Sequence, residues 1–89
     1  LQTVHGWTPL HSAVWHGQAE VVALLLLAKA DIQARCQSGN TPLHYATWKN
    51  YEEVSKLLIF CGASLSEHND KGATPFHYAA YRGNCKLLE

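Results

Sequence analysis

Short apolar blocks alternate with polar, glycine-containing stretches along the whole chain. The longest block, Val21 to Ala28, has eight consecutive apolar residues. It is too short to cross a bilayer, and it favours a buried or half-buried helix, predicted over residues 19–27. A preceding helix is predicted over residues 9–15, because Pro9 suits the first helical position and Thr8 can cap it.

A tetrapeptide recurs at a constant interval. Thr8-Pro9-Leu10-His11 returns as Thr41-Pro42-Leu43-His44 and as Thr74-Pro75-Phe76-His77, a period of 33 residues (8 to 41 and 41 to 74). The same register relates four further sets of residues: Gly6, Gly39 and Gly72; Ala13, Ala46 and Ala79; Trp15, Trp48 and Tyr81; Gly17, Asn50 and Gly83. A fixed period of this length indicates a repeat protein, whose units bury their apolar faces against their neighbours.

The repeated pattern resembles the ankyrin repeat, and the resemblance covers essentially the whole chain. The first copy reads Gly6-Trp7-Thr8-Pro9-Leu10-His11, then Gly17, Glu20-Val21-Val22, Leu24-Leu25-Leu26 and Ala30-Asp31. The resemblance implies an all-α ankyrin-repeat solenoid, made of helix–turn–helix units joined by β-hairpin-like loops. Residues 1–89 would form one ankyrin repeat domain, with repeats at 4–35 and 36–68 and a partial third at 69–89.

The two ends of the pattern lack the polar faces that capping repeats normally carry. Leu1 to Thr3 match the tail of a preceding repeat, and the third copy stops about one turn into its second helix. We therefore expect further ankyrin repeats in the same chain.

Helix ends are marked by residues that tolerate a left-handed backbone. Gly17 and Gly62 are predicted to stop helices, and Asn50 occupies the site equivalent to Gly17. Lys29 occupies the site equivalent to Gly62, so we expect strain in that turn.

Composition and charge exclude several classes of protein. Seven Lys and Arg balance seven Asp and Glu, which argues against a nucleic-acid binder because such proteins need a basic surface. No apolar run reaches transmembrane length, so no membrane contact is expected. The three widely spaced cysteines make a poor disulfide framework. They favour an intracellular protein, either cytoplasmic or nuclear.

The histidines and cysteines are the residues that could bind a metal or take part in catalysis. The resemblance implies that His11, His44 and His77 are structural and join each helix start to the neighbouring backbone. Cys36 and Cys61 are interpreted as small buried thiols rather than nucleophiles or metal ligands. We expect no cofactor, no metal and no enzymatic activity.

Aromatic and cationic residues recur at equivalent positions and are the candidate binding residues. Trp15, Trp48 and Tyr81 share one position, and His16, Lys49 and Arg82 follow them. The resemblance places these first helices on a concave face, extended by the hairpin tips. Large rings beside cations are typical of protein interfaces. The alternative is that the rings pack between helices and close the stack. The remaining candidates are Trp7, Asn40, Tyr45 and Tyr78.

Charge separates the two sides of the predicted stack. The first-helix side carries the basic residues His16, Arg35, Lys49, Lys71 and Arg82. Asp70 is the main opposing charge on that side. Acidic residues lie on the second-helix side, offset by Lys56, and they are Glu20, Glu52 and Glu53. A basic face of this kind would attract an acidic or mixed apolar–acidic partner.

The resemblance implies a protein–protein interaction module that binds a partner protein through its concave face and hairpin tips. The alternative is an architectural spacer or an intramolecular docking segment of a larger multidomain protein, such as a kinase, a channel or a ubiquitin-ligase adaptor.

Overall fold

The computed structural model of the chain describes residues 6–83, and these residues form five helices and no strand. The helices are α1 (Pro9–Trp15), α2 (Ala19–Leu27), α3 (Pro42–Trp48), α4 (Glu52–Phe60) and α5 (Pro75–Tyr81). The bounds predicted for the first two helices and the all-α class are confirmed. The predicted tail at residues 1–3 and the predicted start of a sixth helix lie outside the described residues.

The Thr-Pro-x-His segments begin the three short helices. The threonine backbone is extended, with ψ of 168° at Thr8 and 161° at Thr74, and proline follows at the first helical position. The Thr8 hydroxyl accepts the amide N–H of His11 at 3.3 Å, while His11 Nδ1 accepts the amide N–H of Thr8 at 3.1 Å. These reciprocal bonds satisfy amides that a helix start otherwise leaves unpaired.

Left-handed residues end the helices at the predicted places. The φ angle is 67° at Gly17, 59° at Asn50, 68° at Lys29 and 104° at Gly62. Lys29 therefore adopts the left-handed conformation that glycine adopts in the next repeat. In that conformation the Cβ atom of Lys29 is crowded against the backbone, which destabilises the turn.

Replacing Lys29 with glycine is expected to raise the free energy of unfolding by about 0.5–1 kcal/mol, because the left-handed strain at this turn is removed. Urea unfolding measures the difference. Lys29→Ala is the matched control: it removes the charge but keeps the Cβ atom, and we expect no gain. An equal gain from both variants would contradict the strain explanation.

The helices pack in two layers. In the first layer α3 lies between α1 and α5, and in the second α2 packs against α4. Side chains with 0–1% exposure fill the space between the layers: Leu10, Val14, Val22, Leu43 and Leu58. The equivalent residues Ala13, Ala46 and Ala79 are also buried, and their small side chains allow α1, α3 and α5 to pack closely side by side. The ends of these three helices therefore lie next to one another.

Tight turns connect the repeats and touch each other. Within the first turn the Cys36 amide donates to the Asn40 carbonyl at 3.0 Å. The next turn bonds to the tip of the first, because the Asp70 amide donates to the Ser38 carbonyl at 3.0 Å. Gly39 has a φ of 79°, and a Cβ there would lie 2.6 Å from Asp70 Oδ1. Glycine at this position therefore permits the contact between the turns.

Candidate protein-binding surface

Three rings from the first two repeats form a cluster at the first-helix side. Trp7, Trp15 and Tyr45 have ring centroids 5.6, 5.3 and 5.7 Å apart, with tilted or edge-to-face geometry. Such distances are those of favourable aromatic pairs. The rings therefore hold one another in place.

A second ring cluster lies one repeat further along. Trp48 contacts Tyr78 at 5.4 Å and stacks on Tyr81 at 5.9 Å, with an interplanar angle of 12°. The outer rings are accessible, since Trp48 is 41% exposed and Tyr81 is 75% exposed. Trp48 therefore packs against the rings of the next unit and is also partly open to solvent.

The cationic residues lie over rings of the preceding repeat. Lys49 Nζ is 4.3 Å from the centroid of Trp15, and Arg82 Cζ is 5.4 Å from that of Trp48. Both distances are within the range of cation–π attraction. Within residues 6–83 neither Lys49 nor Arg82 forms a salt bridge. The rings orient the two cations and leave their charge without a carboxylate partner in this part of the chain.

The hydroxyl of Tyr45 is the centre of a polar network behind the first cluster. Trp7 Nε1–H donates to it at 3.1 Å and the Asn40 side-chain amide donates at 3.3 Å. Because these bonds occupy its lone pairs, its own proton points towards Cys36 Sγ, 3.1 Å away. Burial raises the pKa of Tyr45, and the bond to Cys36 adds to the effect. Tyr45 is therefore fixed as a neutral phenol.

Asn69 continues this network into the next repeat. Its side-chain amide donates to Asn40 Oδ1 at 2.8 Å and to the Tyr78 hydroxyl at 2.9 Å. Its Oδ1 accepts the amide N–H groups of Lys71 and Ala73 at 2.9 and 3.0 Å. Asn69 occupies the repeat position of Cys36, so Tyr45 and Tyr78 each bond to the first residue of the turn that precedes their helix. The sequence motifs do not single out Asn69.

Nine of the ten residues predicted to bind a partner belong to one connected surface. We call it the aromatic face, and it comprises Trp7, Trp15, Asn40, Tyr45, Trp48, Lys49, Tyr78, Tyr81 and Arg82. The tenth, His16, is exposed, and its Nδ1–H donates to the Ser12 carbonyl at 2.8 Å. Its imidazole thus bonds to the end of its own helix.

A depression of about 360 Å³ lies between the two ring clusters. Trp15 and Tyr45 of the first cluster and Trp48 and Tyr78 of the second line it, together with Asn40, His44 and Lys71. Lys71 is exposed and in no salt bridge within residues 6–83. From the sequence, Lys71 is only one of the basic residues on the first-helix side. Because it lines the depression, we add it to the candidate binding residues.

The motif histidines join neighbouring units, as the resemblance implies. His44 Nδ1 accepts the Thr41 amide N–H at 2.9 Å, so its Nε2 carries the proton and donates to the Ala73 carbonyl at 3.0 Å. His11 makes the equivalent bond to the Asn40 carbonyl at 2.9 Å. The structural role is confirmed for these two residues. For His77 the structure shows the bonds to Thr74.

Acid is expected to destabilise the fold through these histidines. Burial lowers the pKa of His11 and of His44, so the folded chain binds fewer protons than the unfolded chain below about pH 6.5. The free energy of unfolding should therefore be highest above that pH and fall as the pH drops to 5. Urea unfolding from pH 7.5 to 5.0 measures this, with exposed His16→Asn as a control that keeps the pH dependence. A flat profile would contradict the buried neutral form.

The two cysteines in the described residues differ from each other. Cys36 is buried, as predicted, but Cys61 is exposed, so the interpretation of Cys61 as a buried thiol is wrong. The reason is its place at the end of α4, where the C-cap residue lies outside the interface between the layers.

The basic excess on the first-helix side is smaller than the sequence pattern suggests. Arg35 forms an ion pair with Glu67, a residue that the charge pattern of the sequence does not include. Arg35 also donates to the carbonyls of Gly39 and His68. Arg35 therefore joins successive turns. The cations of the candidate surface are Lys49, Lys71 and Arg82.

An apolar groove of about 490 Å³, not predicted from the sequence pattern, lies at the ends of the outer helices. Leu27 is 78% exposed and Phe60 89% exposed, and both line this groove. The signal that could have found it is the repeat register, because Leu27 and Phe60 are equivalent residues at the last position of α2 and α4.

Groups of side chains that could bind a metal ion, with at least three His, Cys, Asp or Glu, are absent from residues 6–83. Within the same residues no helix has the length and apolar character needed to cross a membrane.

Comparison with known proteins identifies the family. The family model described as ankyrin repeats (3 copies) matches residues 1–69 and 32–89. Ankyrin repeat and SAM domain-containing protein 6 of Mus musculus and that of Rattus norvegicus are each 46% identical to this chain over 37 residues, which is 42% of this chain and 4% of each relative. The chain thus spans only a small part of these relatives. Ankyrin repeats are in general protein–protein interaction modules, and this chain belongs to the ankyrin repeat family.

Proposed function

We propose that the aromatic face is the binding surface of a protein interaction module, and that its partner carries acidic and apolar side chains. The observation that carries this proposal is the exposed Trp48–Tyr81 stack beside cations that have no salt bridge within residues 6–83. Rings of this kind offer a large contact area with few rotatable bonds. The cations add electrostatic attraction and favour an acidic partner.

Preorganisation of the surface supports the same proposal. The Trp15 and Trp48 rings are held by neighbouring rings and by Lys49 and Arg82. The Tyr45 and Tyr78 hydroxyls are held by the turns. Side chains that are already ordered lose little entropy on binding, so more of the contact energy contributes to affinity.

An array of short peptides tests the proposal directly. One set combines aromatic or aliphatic residues with Asp and Glu, and a matched set replaces every acidic residue with Lys. We expect the chain to bind members of the acidic set, with weaker binding at high salt. Phe60→Ser on the outer groove should leave this binding unchanged. Equal binding of both sets would contradict the acidic partner. Binding of neither set would contradict the interaction module and favour the architectural role.

A further inference from the structure

The two ring-bound cations of the aromatic face are related by the repeat. Lys49 and Arg82 follow the last residue of α3 and of α5, and each lies over a tryptophan of the preceding unit. Helices packed side by side have axes about 8–10 Å apart. Equivalent residues on adjacent units of a stack are displaced by about that distance. The surface therefore presents two positive charges with a spacing set by the fold.

The ring contacts leave both cations able to bind an anion. A cation above a ring uses one face, while the edge N–H groups of a guanidinium remain free to donate to a carboxylate. Arg82 is exposed and Lys49 half-buried. The rings restrict the motion of both side chains, so less entropy is lost when a carboxylate binds.

The rings beneath the two cations, Trp15 and Trp48, also line the depression of the aromatic face. It is lined mainly by Trp15, Tyr45, Trp48 and Tyr78. Aromatic grooves of this kind accept extended polyproline II segments, whose preformed shape costs little entropy on binding. That conformation has three residues per turn and rises about 3.1 Å per residue, so residues i and i+3 share one face about 9 Å apart. This distance matches the spacing of neighbouring helices.

We infer that the partner of the aromatic face is an extended, proline-containing segment with acidic residues at positions i and i+3. One carboxylate binds Lys49, the other binds Arg82, and the intervening proline and apolar residue pack on the rings of the aromatic face. The inference rests on the proposed function and adds the conformation and charge spacing of the partner.

Synthetic peptides of one composition test the spacing. The first probe, about ten residues long, has two Glu at i and i+3 with Pro and Leu between them. The second places the same two Glu next to each other, and the third keeps the i and i+3 spacing with Gln. Fluorescence anisotropy of labelled peptides measures affinity for the unmodified chain. We expect the first probe to bind at least about tenfold more tightly than either of the others.

The outcomes separate this inference from the proposed function. Equal affinity of the two Glu peptides would overturn the spacing and leave the acidic partner standing. A helical peptide with Glu at i and i+7 that binds more tightly than the first probe would overturn the extended conformation. If no Glu peptide binds, the proposed function fails as well.

A variant at Arg82 tests whether this side chain binds one of the two carboxylates. Arg82→Gln removes an exposed charge. It should weaken binding of the first probe and leave binding of the third probe, which carries Gln in place of both Glu, unchanged. An equal loss for both peptides would overturn the assignment of one carboxylate to Arg82.

Discussion

Replacing His44 with alanine is expected to lower the free energy of unfolding by about 1–3 kcal/mol. The side chain is fully buried, and it bonds with the Thr41 amide, the Thr41 hydroxyl and the Ala73 carbonyl. Its removal leaves both backbone groups without a partner and opens a cavity. Urea unfolding at pH 7.5 measures the change, because the neutral form of the histidine predominates there.

The chain offers a matched control at the equivalent position. His77 makes the same bonds to Thr74, but its side chain is exposed. We expect His77→Ala to cost less than His44→Ala, since water can replace the lost bonds. Equal losses would show that the helix-start bonds alone, and not the link between repeats, account for the effect.

Replacing Trp48 with alanine is expected to weaken binding of an acidic–apolar peptide by about 2 kcal/mol, or about thirtyfold. Trp48 contacts Tyr78, Tyr81 and Arg82, so its loss removes contact area and the orientation of a cation together. Titration calorimetry of the folded variant measures the affinity. Phe60→Ala is the matched control, because Phe60 is also large and exposed but lies on α4.

Two other results would change this interpretation. If Trp48→Ala unfolds the chain, the ring serves mainly to close the stack, as the alternative interpretation of the sequence holds. If the variant folds and binds normally, the partner uses another surface, and loss of binding in Phe60→Ala would identify the outer groove.

Features of the backbone could be predicted from the sequence because they are local and repeated. Pro9 and Thr8 mark the start of α1, and the left-handed residues Asn50 and Lys29 appear where glycine stands in other units. Each of these depends on a few neighbouring residues. The repeat register then extends the assignment to every unit, so the helix bounds follow with little error.

Side-chain contacts between repeats could be predicted only in part. The 33-residue register aligns Trp15 with Trp48, but it does not show that Lys49 lies over the ring of the unit before it. That contact depends on side-chain rotamers and on the packing of α1 against α3. The Arg35–Glu67 ion pair was missed for the same reason, because it joins two turns that are far apart in the sequence.

Nuclear magnetic resonance of the tryptophan side chains gives the most direct test of the central claim that the aromatic face binds the partner. The three tryptophans of the chain all lie on that face. On titration with the peptide that carries Glu at i and i+3, we predict saturable shifts of the Trp15 and Trp48 indole N–H signals and little change in the backbone amides of α2. Shifts confined to residues around Leu27 and Phe60, with the indole signals unmoved, would contradict the claim.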